Sequence, residues 1–190
     1  MIKSFIAAIA VASVATAASA VTLVNIPAST GELASPMSTS VTFKAAGGMA
    51  VTDFVVQGFR SLDGVNPYQD TFTLSLNGTD IYSASFDLGG NGANTVFLAA
   101  PGATYSLANV VFFHGGEATI NTPLALTAGT NTLRFRYNGK AQGLRDEAWG
   151  IRALTVTGAT VPEPAAWALL VVGFGLVGSA ARRRKVSVAA

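Results

Sequence analysis

The sequence contains no cysteine, which removes disulfides, thiolate metal centres and cysteine nucleophiles together. Exported proteins can do without disulfides, so this absence does not argue against export. Histidine occurs once, at His114, too few for a zinc site built from histidines. Charge is also scarce, at 12% of residues. Without Lys3, Arg182, Arg183, Arg184, Lys185 and Glu163, the segment Val21 to Val161 keeps 7 basic and 9 acidic residues. With no basic block in that middle, nucleic acid is excluded as a partner. The middle also lacks helical periodicity and any repeat long enough for a solenoid. Two catalytic signatures are missing: no Gly-x-Ser-x-Gly elbow accompanies His114, and Gly89-Gly90-Asn91-Gly92 has no Gly-Lys-Ser/Thr ending to cradle a phosphate.

What is abundant is apolar, and its longest runs lie at the two ends. Met1-Ile2-Lys3 precedes a nearly unbroken run of apolar and small residues from Phe5 to Ala18, followed by Ser19-Ala20. One cation, an apolar stretch too short for an ordinary spanning helix, and small residues at Ala18 and Ala20 make a secretory signal. Residues 1–20 are assigned to it, with signal peptidase cutting after Ala20. The other end, residues 161–190, carries Pro162-Glu163-Pro164, Trp167-Ala168, an apolar continuation to Ala181, and Arg182-Arg183-Arg184-Lys185. The prolines break the preceding strand and hold the backbone extended. Residues 165–181 sit at the short end of a bilayer-spanning length. Trp167 stands where an interfacial anchor belongs, and the cluster 182–185 would stay cytoplasmic. A transmembrane helix over 165–181 is expected, holding the precursor transiently in an inner membrane.

Pro162-Glu163-Pro164, Trp167-Ala168, Gly173-Phe174-Gly175 and the Arg run together resemble the PEP-CTERM sorting signal in its PEPxxWA form. Motif, apolar helix and basic cluster occur in the order that signal requires. The resemblance implies an exosortase, a membrane protease-transpeptidase that recognises the Pro-Glu-Pro and removes the helix. It also implies a final place on the cell surface or outside the cell, in association with exopolysaccharide or biofilm.

Residues 21–160 are the remaining domain, large enough for one core. Thr, Val, Phe, Ser, Gly and Asn dominate it, as in strands and turns. Phe72, Leu74 and Leu76 alternate with Thr71, Thr73 and Ser75; Asn77-Gly78 then offers a positive-φ turn and Ile81 to Phe86 returns, which is a hairpin. Leu133, Phe135 and Tyr137 alternate with Arg134 and Arg136 in a second strand, entered through a turn at Thr127 to Asn131. Further strands are expected at 40–45, 52–60, 94–99, 108–113, 123–126 and 149–157. The last breaks phase, because Trp149 and Ile151 share one parity and Leu154 and Val156 the other; a bulge or burial on both faces would account for it. The expected fold is all-β, a two-sheet antiparallel sandwich, jelly-roll-like, flanked by a signal helix and a transmembrane helix. Leu126 to Leu133 resembles the late hairpin of carbohydrate-binding jelly rolls. Asp146-Glu147-Ala148-Trp149-Gly150-Ile151 is similar to the last strand of PEP-CTERM ectodomains and lectin-like sandwiches, except that Arg152-Ala153-Leu154 replaces the usual Asp-Asn-Val.

Candidate chemistry is thin. Asp146 and Glu147 are the densest carboxylates and could bind Ca²⁺ with backbone oxygens. As neighbours on a strand they point to opposite faces, which prevents their flanking a glycosidic bond. Asp63, Asn66 and Asp70 are oxygen donors in one polar loop, without EF-hand spacing. Tyr68 and Trp149 are the aromatics able to stack on a sugar ring. The expected function is a non-enzymatic surface or matrix protein with no required cofactor, structural Ca²⁺ being the one metal considered. A carbohydrate-binding module is the first alternative and a secreted hydrolase, built on a facing carboxylate pair or on a triad centred on His114, the second.

Overall fold

The computed structural model describes residues 20–139, 143–159 and 164–186. Ala20 to Val161 form one compact unit, built from nine strands: β1 (Ala20–Ile26), β2 (Leu33–Ala34), β3 (Met37–Gly58), β4 (Thr71–Leu76), β5 (Thr79–Ser85), β6 (Thr95–Ala99), β7 (Thr104–Val111), β8 (Gly115–Asn138) and β9 (Ala148–Ala159). Every named pair is antiparallel. The all-β expectation holds. The expected signal helix and Ala18 lie outside the described residues, as do Pro162 and Glu163. Ala20 opens β1 rather than ending a helix.

Two long strands organise the sheet. β3 and β8 pair in one unbroken register from Met37↔Tyr137 to Gly58↔Gly116. β4 adds to the second half of β8, from Thr71↔Asn138 to Leu76↔Leu133, and β5 and β6 follow it outward. β7 adds to the first half of β8. On the other side, β9 adds to the second half of β3 and β1 to β9. The order is β1-β9-β3-β8-β4-β5-β6, with β2 on β9 and β7 on β8. The bend that folds this ribbon into two layers falls at Gly47 and Gly48, with φ of 91° and 99°. Only glycine takes that backbone freely, and a Cβ on Gly47 would lie 3.0 Å from Ala128 N. Phe54, from the second half of β3, meets Phe72 at 5.8 Å and Phe135 at 5.2 Å between ring centroids. Those partners sit on the β4 side, so the two halves face each other across one core.

Several strands expected separately are single strands here. Residues 40–45 and 52–60 fall largely in β3, and 123–126 and 132–137 in β8. The turn expected at Thr127 to Asn131 is a bend inside β8. Asn131, fully buried, braces it with side-chain bonds while pairing with β3 continues: its Oδ1 accepts from Thr127 N at 3.0 Å and its Nδ2 donates to Thr127 O at 2.8 Å. Asn77 of the β4–β5 turn completes the knot, donating to Asn131 Oδ1 at 3.0 Å and accepting from Thr132 N at 2.8 Å. The hairpin turn itself is as expected, with φ of 52° at Asn77 and 87° at Gly78, both positive as a type I′ turn requires. The polar face of β4 is not solvent-facing, because Thr73 and Ser75 are buried under Asp80 and Arg136, with Ser75 Oγ donating to Asp80 Oδ1 at 2.6 Å.

The broken phase of β9 is a bulge. Pairing with β3 shifts by one residue between Asp53 and Val55, and Ala153 takes φ of 52°. The extra residue returns Leu154 and Val156 to the face of Trp149 and Ile151, and all four are buried.

A helix, α1 (Pro164–Val186), forms where one was expected. Among the described residues, no helix is long and apolar enough to cross a membrane, so the expected span over 165–181 is not shown.

Candidate functional site

Antiparallel pairing continues past the end of β3 and aligns two segments far apart in sequence. Phe59 N donates to Ala148 O at 2.9 Å and Ser61 N to Asp146 O at 3.1 Å. Glu147 is thereby set beside the polar loop that starts at Ser61. That loop closes on itself: Asp63 N donates to Asp70 Oδ2 at 3.0 Å, and Asp70 N donates to Asp63 O at 3.1 Å. Asn66 Nδ2 donates to Asp63 Oδ1 at 2.7 Å, and Asn66 Oδ1 accepts from Tyr68 N at 2.6 Å. The loop before β6 pins it from outside, with Gly64 N to Asn91 O and Val65 N to Ala93 O, both 2.8 Å. Gly90 lies flat against the Asp63 carboxylate; a Cβ there would stand 2.7 Å from Asp63 Cγ.

The result is a buried group of three carboxylates. One oxygen from each of Asp63, Asp70 and Glu147 lies within 4.8 Å of the others. Asp70 and Glu147 are wholly buried and Asp63 is 7% exposed. No N–H or hydroxyl reaches Asp70 Oδ1, and the buried Ser35 Oγ and Tyr137 Oη also lack partners. Asp70 Oδ1 fills the place a Cβ on Gly139 would take, and Ser35 Oγ stands 3.2 Å from that point. Burial pushes the Asp70 carboxyl up to about 7, and the charges of Asp63 and Asp146 add to it; the Asp63 N–H and the Glu147 carboxyl pull it back. Burial also raises Asp63, against the opposing bond from Asn66. Tyr137 is raised well above its ordinary value, by burial and then by the charges of Asp70, Glu147 and Asp63. Like charges at this spacing, out of water, need a proton or a cation between them.

The expected pairing of Asp146 with Glu147 is corrected by this geometry. Asp146 Oδ1 accepts from Ser61 Oγ at 2.8 Å, and Asp146 is not one of the three clustered carboxylates. The sequence had marked Asp63 and Asp70 as donors and Glu147 as a carboxylate; nothing local signals that strand pairing joins them across the chain. Ser35 and Tyr137 were missed, Tyr137 because its alternation marks it only as core.

Trp149 as a sugar platform is also corrected. It is fully buried, packs at 5.6 Å from Tyr137 and donates Nε1–H to Ala34 O at 3.1 Å. Tyr68 is 58% exposed. Arg152, which stands where the resembled pattern has an acid, makes a bidentate pair with Glu117, donating from Nε to Oε1 at 3.1 Å and from Nη2 to Oε2 at 2.7 Å. His114 lies on the exposed turn between β7 and β8, its Nδ1 2.9 Å from Phe112 O. Of the tail residues, Pro164 and Trp167 fall in α1, as do Arg182, Arg183, Arg184 and Lys185, with Arg182 exposed.

No curated protein matches the chain. Residues 160–185 match the model of the PEP-CTERM protein-sorting motif, as the order of Pro-Glu-Pro, apolar helix and basic cluster requires. The chain thus carries a PEP-CTERM sorting motif, which marks it as an exported protein sorted to the cell surface with an exosortase as its processing partner.

Proposed function

We propose that this chain is a non-enzymatic surface or matrix protein, held at the inner membrane as a precursor and associated with exopolysaccharide once processed. The sorting motif at residues 160–185 carries the reading. Support for a membrane-held precursor comes from α1, where Leu170, Val171, Val172, Phe174, Leu176 and Val177 are all more than half exposed. An apolar surface on every side of a helix is unfavourable in water. Support for a non-enzymatic role comes from His114 and from the clustered carboxylates. His114 stands exposed against a backbone carbonyl, and the three clustered carboxylates are closed to a polymer substrate by burial. Exposed aromatic surface for a polysaccharide is present at Tyr68, 58% exposed, and at Phe112 and Phe113, each 56% exposed.

The test is intact mass of the protein from fractionated native cells. A mass starting at Val21 and ending near Pro162-Glu163-Pro164, in the medium or on the outer surface, is the expected result. A mass that keeps Trp167 through Ala190 in every fraction would overturn the processing reading.

A further inference from the structure

We propose that Asp63, Asp70 and Glu147 hold a Ca²⁺ ion that clamps the loop after β3 to the start of β9. This does not depend on how the chain is sorted or on whether it meets polysaccharide.

The donor set is all oxygen, which suits a hard cation and not zinc or copper. Calcium binds oxygen at about 2.3–2.6 Å, so two ligands on opposite sides of it are about 4.6–5.2 Å apart. The carboxylate oxygens lie within 4.8 Å of one another, the span of one such sphere. Magnesium usually keeps several of its waters and is bound by one or two carboxylates, so a cage of three protein carboxylates suits calcium better. The second observation is independent of the carboxylate count. Asp70, 0% exposed, directs Oδ1 to a place where no N–H or hydroxyl meets it, and Ser35 Oγ, beside the same bare face of Gly139, is without a partner too. Tyr137 Oη is a third buried oxygen with none. Buried oxygens in native proteins are nearly always satisfied. Asp70 Oδ1 and Ser35 Oγ are orphaned on one face of Gly139, and a cation held by the clustered carboxylates would satisfy the first of them directly. Among the described residues neither Asp63 nor Asp70 forms an ion pair. The loop is preorganised for the task, because Asp63 and Asp70 are fixed to each other by two reciprocal bonds and Asp63 by Asn66.

The test uses the chain as isolated from its cells, stripped with EDTA and titrated with CaCl₂ alone. Calorimetry should show one Ca²⁺ per chain. Terbium should bind in its place and luminesce through the rings of Tyr137 and Trp149, and added Ca²⁺ should quench that light. At free Ca²⁺ one hundred times its Kd, the folded-to-unfolded ratio should rise about 100-fold. Asp70→Asn and Glu147→Gln should each abolish the response, and Asp146→Asn should keep it. Absence of both heat and a stability change in the unaltered chain up to millimolar Ca²⁺ would overturn the proposal, whether or not the variants fold. An equal response to Mg²⁺ would overturn the choice of ion. A full response in Asp70→Asn would overturn the location.

Discussion

At the scale of single residues, burial decides roles that residue type leaves open. Trp149 has the chemistry of a sugar platform, yet its ring is sealed against Tyr137 and its N–H is spent on Ala34 O. Replacement by Ala should cost about 3–5 kcal/mol of stability, as for other buried large-to-small changes. Replacement by Phe keeps most of the packing but orphans the Ala34 carbonyl, and should cost about 1–3 kcal/mol. Urea denaturation of both variants checks this. A Trp149→Ala protein as stable as the parent, but unable to bind polysaccharide, would restore the platform role. Asn131 makes the same point from the polar side. By composition it reads as a turn residue, but burial makes it the internal splint of a strand.

At the scale of elements, the bulge of β9 is what keeps one strand consistent with one core. Its single extra residue lets Trp149 and Ile151 on one side, and Leu154 and Val156 on the other, share a buried face. Deleting Ala153 would impose strict alternation and turn one of those pairs toward solvent. We expect the deletion to yield insoluble or non-cooperatively unfolding protein, read by near-ultraviolet circular dichroism and a urea melt, whereas Ala153→Gly should be tolerated at its positive φ. The phase break was legible in the residues, because apolar parity is visible without a structure. So were the Asn77-Gly78 hairpin and the face of Leu133, Phe135 and Tyr137. The continuity of β3 through Gly47-Gly48, and of β8 through Thr127 to Asn131, was not: Gly and Asn signal a chain reversal and a strand bend with the same letters. Nor was the meeting of Asp63 and Asp70 with Glu147, since a carboxylate cluster assembled by strand pairing leaves no spacing rule behind. The tail was the most legible part, because its order of motif, apolar run and cations is local.

At the scale of the whole molecule, β3 and β8 belong to both layers. Each layer therefore loses its central strands if the other opens. Unfolding of the unit formed by residues 20–161 should be a single transition, with tyrosine fluorescence and far-ultraviolet circular dichroism reporting one midpoint. Two separated transitions would show that the layers are independent after all. The core that couples them includes Phe54 against Phe72 and Phe135, so the transition is expected to be abrupt rather than gradual.

The pairing of Ala20 with Ala159 has a consequence for how the protein is presented. The chain enters and leaves the sheet side by side, so a tether at either terminus grips the same edge. β9 runs away from that edge for its whole length, about 35 Å at strand rise, to the corner where Glu147, Asp63 and Tyr68 gather. A tether at either terminus therefore leaves the Glu147 end of β9, together with the β7–β8 turn that shares it through Gly58↔Gly116 and Gly58↔Trp149, at the far end of that strand from the point of attachment.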